Sequence, residues 1–161
     1  MSLFAGWMYR ALLWKERQRA RRATPAARPG KAPSEAGLRA PHLATGRRGE
    51  TLAYWYLRQA GYKIVARNRP SDQQAGELDL VAWDGPVLSF VEVKTRTSAE
   101  AGPPEAAVNG AKRTRIARTA KEYLRHLGGR RVTYRFDIVS VSWDAEVGYH
   151  VRLTKDAFKE R

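Results

Sequence analysis

The spacing of hydrophobic positions predicts an α/β domain over residues 46–161. Apolar residues recur at helical intervals over 45–60 and again over about 104–127, and a glycine follows each stretch. Stretches rich in β-branched and aromatic residues predict five strands: 62–69, 77–83, 87–97, 132–143 and 149–153. A last helical turn is predicted at 155–158. The order α-β-β-β-α-β-β is typical of a mixed sheet flanked by helices.

The first 45 residues form a basic leader that differs from the rest of the chain. Residues 1–48 hold 11 Lys and Arg against 2 Asp and Glu, a net charge of +9, and residues 49–161 hold 19 against 14. Apolar spacing predicts an amphipathic helix over 3–22, and abundant Ala, Pro and Gly predict a flexible linker over 23–41. Three interpretations of the helix stay open: a non-essential extension, a nucleic-acid-binding arm, or a helix on a membrane surface.

Composition excludes several classes of protein. The chain has no cysteine, which excludes a disulfide scaffold and a thiolate zinc site, and its three histidines are scattered. No apolar run approaches the roughly 20 residues that a membrane-spanning helix needs. The leader lacks the order of a secretory signal, so the cytoplasm is the predicted location. Phosphate-binding loops, dinucleotide fingerprints and nucleophile elbows are missing from the sequence.

Two neighbouring predicted strands bring charged side chains onto one face. Because side chains alternate along a strand, Glu77 and Asp79 share a face of one strand, and Glu92 and Lys94 share a face of the next. A tight antiparallel turn between residues 85 and 86 places Asp79 opposite Glu92, with Cβ atoms about 5 Å apart. The same register places Lys94 opposite Glu77, and two interpretations of Glu77 stay open: an ion pair with Lys94, or a position at the sheet edge.

Opposed carboxylates repel each other, and a divalent cation removes that conflict. Mg²⁺ or Mn²⁺ suits oxygen ligands, with waters and a substrate phosphate completing the coordination. Lys94 beside such an ion could hold a water or a phosphate oxygen, and this arrangement is typical of metal-assisted phosphodiester hydrolysis. Glu50, on the apolar stripe of the first helix, is the next candidate. The alternatives are a solvated ion pair for Glu92 and Lys94, and a helix-dipole role for Glu50.

Basic residues on the second predicted helix are candidates for contact with a phosphate backbone. They follow one another at intervals of three: Lys112, Arg115, Arg118 and Lys121. A solvated helix face is the alternative. Arg135 and Asp137 share a face of the following strand, which predicts a structural ion pair.

Several of these segments together resemble the YraN family of small, uncharacterised bacterial proteins. The resemblance covers about residues 47–158 and rests on these segments: Gly49-Glu50, Gly76-Glu77-Leu78-Asp79-Leu80-Val81, Phe90-Val91-Glu92-Val93-Lys94-Thr95-Arg96 and Arg135-Phe136-Asp137. The family is similar to PD-(D/E)xK nucleases, akin to archaeal Holliday-junction resolvases. The resemblance therefore implies a restriction-endonuclease-like core. It also implies a metal-binding acidic pair, Asp79 and Glu92, a motif lysine, Lys94, and a further acid, Glu50.

The leading hypothesis is a Mg²⁺-dependent endonuclease that acts on DNA, including branched or damaged DNA. The analogy with junction resolvases favours DNA over RNA and suggests a homodimer, although the side chains suit either phosphate backbone. One alternative is a nucleic-acid-binding module of the same fold without turnover. Another is an adaptor that docks on a membrane or a protein through the basic leader.

Overall fold

The computed structural model describes most of the predicted domain and part of the leader. The described residues are 7–12, 14–15, 35–72, 76–97, 108–128, 131–144 and 148–160. The elements are α1 (Glu35–Gln59), β1 (Lys63–Pro70), β2 (Glu77–Asp84), β3 (Val87–Thr97), α2 (Gly110–His126), β4 (Tyr134–Asp144) and β5 (Gly148–Phe158). Residues 7–12 and 14–15 are also helical and are called the N-terminal segment below. Predictions that fall on 1–6, 16–34, 73–75, 98–107 or 145–147 lie outside the described residues.

The five strands form one mixed sheet in the order β1-β2-β3-β4-β5. Neighbouring strands are antiparallel, except that β3 and β4 are parallel. Parallel neighbours need a crossover connection, and α2 lies in that connection. The predicted order of elements and the mixed sheet are therefore confirmed.

The sheet is buried on both faces because each face packs against a helix. On one face Phe90 belongs to a core with Ile116 of α2. On the other face Val91 belongs to a core with Leu52 and Leu57 of α1. The alternation along β3 thus sends successive side chains into two separate cores.

The first domain helix begins earlier than the pattern predicts. It starts at Glu35 rather than near residue 45, so the linker prediction is wrong for 35–41. Gly37 and Pro41 suggested a break, but Ala, Leu and Arg surround them, and these residues favour helix. The start of α2 also differs from the prediction. Asn109 is its N-cap, with a side chain that accepts the Lys112 N–H at 2.9 Å, so the described helix begins at Gly110.

The predicted helical turn at 155–158 is wrong, since these residues continue β5. The backbone of Asp156 is left-handed there (φ 52°), and the pairing of β4 with β5 shifts register at this point. The Asp156 N–H donates to Asp137 at 2.8 Å. The bulge keeps Phe158 against β4, where its ring stacks on Phe136 with centroids 4.9 Å apart. Packing of this aromatic ring outweighs the local helical pattern.

Candidate functional site

The two acidic residues predicted to face each other lie where β2 and β3 separate. Leu80 pairs with Val91, which is the register that the sequence predicted, and the pairing of β2 with β3 ends at these two residues. One step further along the same register are Asp79 and Glu92. Beyond the separation β2 continues beside β1, and β3 continues beside β4. The Asp79 carboxylate bridges the opening, because its Oδ2 accepts the N–H of Val93 at 2.7 Å.

The separation of the strands changes one predicted contact. Glu77 does not pair with Lys94, because β2 has already left β3 at that position. Instead Glu77 lies opposite Pro70 of β1, and its side chain is exposed. The acidic pair and Lys94 are thus brought together at the opening, and Glu77 is at its outer edge.

Two lysines from different elements approach the buried carboxylate of Glu92. The Glu92 side chain is only 4% exposed. Its Oε1 lies 3.2 Å from Nζ of Lys112 on α2 and 3.8 Å from Nζ of Lys94 on its own strand. A buried carboxylate needs such partners, because an isolated buried charge is costly. The opening therefore holds two carboxylates and two ammonium groups.

Asp79 has the most perturbed carboxyl group at this opening. Burial and the charge of Glu92 raise the pKa of Asp79 from 3.8 to about 7. The Val93 N–H and the charge of Lys112 oppose this rise, and the charge of Glu50 adds to it. A carboxyl group whose ionised form is this disfavoured would be stabilised by any additional cation, and perturbed groups of this kind cluster at functional sites.

Glu50 is near the acidic pair but does not complete a set of three ligands. Its helix packs closely on the site strand, since a Cβ placed on Gly49 would lie 1.8 Å from Oγ1 of Thr95. Across the described parts of the chain, no group of three or more His, Cys, Asp or Glu side chains is arranged to hold a metal ion. The arrangement offers the pair Asp79 and Glu92, and the role of Glu50 as a ligand stays a prediction.

The basic residues predicted on α2 divide into two groups. Lys112 and Arg115 line a cavity of about 390 Å³ together with Glu77. Arg118 and Lys121 line a different cavity, of about 470 Å³. The ammonium group of Lys121 is 2.7 Å from Oε2 of Glu160, so this residue has an acidic partner within the chain. The predicted set therefore lines two cavities, and its contact with a phosphate backbone stays a prediction.

The place of Lys112 in the acidic site was not predicted from the sequence. Its spacing on the helix showed a basic residue but not which turn of α2 faces β3. The cap at Asn109 puts Lys112 in the first turn, close to Glu92. The only available signal was Asn109, an ordinary N-cap residue before the helix.

Ser71 and Asp72, which follow β1, are held against α2 by Glu122. This interaction was not predicted from the sequence. The buried Glu122 accepts the Ser71 hydroxyl at 2.7 Å and the Asp72 N–H at 2.5 Å. These hydrogen bonds lower the pKa of Glu122. Gly76, at the end of this connection, lies against α2 with φ 153°. One wall of the 390 Å³ cavity is thereby fixed.

Arg135 and Asp137 form the predicted structural ion pair, at the opposite end of β2 from Asp79. Nε of Arg135 lies 2.9 Å from Oδ1 of the fully buried Asp137. The Arg135 guanidinium also donates to Asp84 at 2.6 Å, and the Ser89 hydroxyl donates to Asp137 at 2.6 Å. The buried carboxylate of Asp137 thus has hydrogen-bond partners, and the network stabilises the fold.

No helix within the described ranges is both long enough and apolar enough to cross a membrane.

Comparison with known proteins places the acidic site inside a recognised family. The model of the uncharacterised protein family UPF0102 matches residues 49–141. A UPF0102 protein of Koribacter versatilis is 50% identical over 117 residues, which are 73% of this chain and 80% of the relative. A UPF0102 protein of Symbiobacterium thermophilum is 44% identical over 113 residues, 70% of this chain and 94% of the relative. The expected resemblance to uncharacterised bacterial proteins is confirmed, and the chain belongs to the UPF0102 family.

Proposed function

We propose that the chain is a Mg²⁺- or Mn²⁺-dependent endonuclease with a restriction-endonuclease-like PD-(D/E)xK core, acting on phosphodiester bonds of DNA. The observation that carries the proposal is the opening between β2 and β3. It holds the carboxylates of Asp79 and Glu92 beside the ammonium groups of Lys94 and Lys112. Action in the cytoplasm and as a homodimer is part of the same proposal.

The acidic pair suits a divalent cation for two reasons. Two carboxylates with waters and a substrate phosphate are a usual ligand set for Mg²⁺. Burial and the charge of Glu92 also raise the pKa of Asp79 to about 7, and a bound cation would stabilise the ionised carboxylate. Asp79 and Glu92 would hold the ion, with Glu50 adding negative charge nearby. A bound ion would supply a water of lowered pKa and neutralise charge on the phosphate.

Lys94 and Arg115 would act on the substrate rather than on the ion. The Lys94 side chain is about one-third exposed, so its ammonium group can reach a phosphate oxygen or orient a water at the opening. Arg115 is exposed on the adjacent cavity wall and can bind the neighbouring phosphate. The net charge of +14 favours an anionic partner.

The test is a calorimetric titration of Mn²⁺ into the protein, with and without a short DNA duplex. Wild type should bind the ion, and Asp79→Asn should not. Asp72→Asn, the same chemical change at an exposed carboxylate, is the matched control and should bind like wild type. Lys94→Met should keep metal binding but lose cleavage of duplex and branched DNA. If neither wild type nor the control binds Mn²⁺ with DNA present, the proposal is wrong.

A non-catalytic nucleic-acid-binding module is the second candidate, and the position of Lys112 favours it. Its ammonium group is 3.2 Å from Glu92, where it already neutralises one carboxylate of the pair. In that case DNA would bind with a steep salt dependence and without metal. Lys112→Met separates the two candidates. The Lys112→Met variant should bind Mn²⁺ more tightly than wild type if Lys112 competes with an ion for Glu92. If the site never holds an ion, the variant should bind DNA more weakly and show no gain in Mn²⁺ binding.

A further inference from the structure

The N-terminal segment has two faces with different environments. On one side Tyr9 and Leu12 pack against the core beneath α1, and the Tyr9 ring meets Tyr56 edge-on with centroids 5.9 Å apart. Burial raises the pKa of Tyr9. At about 100° per residue, Trp7 lies on roughly the opposite side of the helical residues 7–12 from Tyr9, and Trp14 is exposed as well. Tyr9 and Leu12 thus hold the segment on the domain.

The outward face carries two large aromatic side chains and two cations. Trp7 is 64% exposed and Trp14 is 65% exposed. The side chains of Arg10 and Lys15 are exposed as well. Among the described residues, the only other large hydrophobic side chain with comparable exposure is Val65 on β1, at 49%. Two exposed tryptophans in one short segment concentrate apolar surface, which is typical of an interaction surface.

This surface lies outside the part of the chain that defines the family. The UPF0102 model begins at residue 49. The surrounding stretch, residues 1–48, has a net charge of +9. The acidic site lies within the matched range and this surface lies outside it, so the two can be tested separately. A partner of this surface must tolerate a strongly basic segment.

We propose that the Trp7 and Trp14 face docks the protein onto a lipid bilayer that contains anionic headgroups. Tryptophan rings favour the boundary between headgroups and acyl chains, and basic residues nearby are attracted to anionic lipid. The segment would lie in the plane of the surface while Tyr9 and Leu12 keep it attached to the domain. An anionic bilayer matches both the apolar centre of the face and the basic charge around it. A DNA duplex would match the charge, but it offers no apolar layer for the two exposed tryptophan rings.

The test is co-sedimentation of the full chain with vesicles. Vesicles of phosphatidylcholine mixed with phosphatidylglycerol should bind the protein, vesicles of phosphatidylcholine alone should bind it weakly, and added salt should reduce the binding. The double variant Trp7→Ser/Trp14→Ser should bind anionic vesicles about tenfold more weakly. Val65→Ser, which removes an exposed apolar group elsewhere, should bind like wild type. Circular dichroism of the double variant should be unchanged, since both side chains face outward.

Two results would overturn this inference. One is a double variant that binds anionic vesicles as tightly as wild type, or a wild-type protein that does not bind them at all. The other is a double variant that loses binding to a DNA duplex in a mobility assay while wild type ignores vesicles, which would assign the face to nucleic acid. Mn²⁺ binding at Asp79 should be the same in the double variant and wild type. The proposed function and the docking surface can therefore fail independently.

Discussion

Replacing Asp79 by Asn should stabilise the metal-free protein at neutral and higher pH. Burial and Glu92 raise the pKa of Asp79 to about 7 in the folded chain, against an ordinary value of 3.8. The folded state therefore holds this proton more tightly than the unfolded state. Between pH 4 and 7 the wild type should lose stability as pH rises, because the proton leaves and the charged form is disfavoured. Asn stays neutral, and its side-chain oxygen can still accept the Val93 N–H.

The size of the effect follows from the pKa difference. Each pKa unit corresponds to about 1.4 kcal/mol, so a rise from 3.8 to about 7 sets a ceiling of about 4 kcal/mol at pH 8. Since the Asp79 side chain is only partly buried and solvent screens its charge, we expect Asp79→Asn to gain about 2 kcal/mol in free energy of unfolding at pH 8 and little at pH 4. If the protein becomes more stable when the Asp79 carboxylate is removed, this residue serves function rather than stability.

Urea unfolding between pH 4 and pH 8, in buffers with a chelator, measures this difference. Asp72→Asn is the control, and its stability should stay within about 0.5 kcal/mol of wild type, since surface ion pairs contribute little. Adding Mn²⁺ at about 100 times its dissociation constant should stabilise wild type by about 2.7 kcal/mol and leave Asp79→Asn unchanged. An Asp79→Asn protein that is less stable than wild type at pH 8, or equally sensitive to pH, would refute the reasoning.

Three further predictions concern packing and charge away from the acidic pair. Gly49→Ala should destabilise the protein by about 2 kcal/mol, because the new methyl group overlaps Oγ1 of Thr95, and adding Thr95→Ala should recover part of the loss in urea unfolding. Arg135→Met should cost about 3 kcal/mol or more, because Asp137 would remain buried without its cation; a loss below 1 kcal/mol would contradict this. Ion pairs lower the pKa of Asp84 to about 2, so stability that is present above pH 4 should fall as pH drops towards 2, and an Asp84→Asn variant should show a weaker fall in acid titrations.

The sequence alone was sufficient for the hairpin that carries the acidic pair. The alternation of side chains and the short turn at Gly85 fix which residues of β2 and β3 face each other, and both are local properties. The register came out as predicted, with Asp79 and Glu92 in line. The mixed sheet was predictable too, because the spacing of the elements and the long helical segment between two strands require a crossover.

The tertiary structure decided which charges gather at that pair. Lys112 is 20 residues from Glu92 in the chain, and its approach depends on how α2 crosses the sheet, which no local pattern encodes. Residues 155–158 form a strand rather than the predicted helical turn for a similar reason. Stacking of Phe158 on Phe136 stabilises the strand more than local hydrogen bonds would stabilise a helical turn. Patterns in sequence report neighbours along the chain. Burial, the raised pKa of Asp79 and the direction of the tryptophan face come from contacts between distant segments.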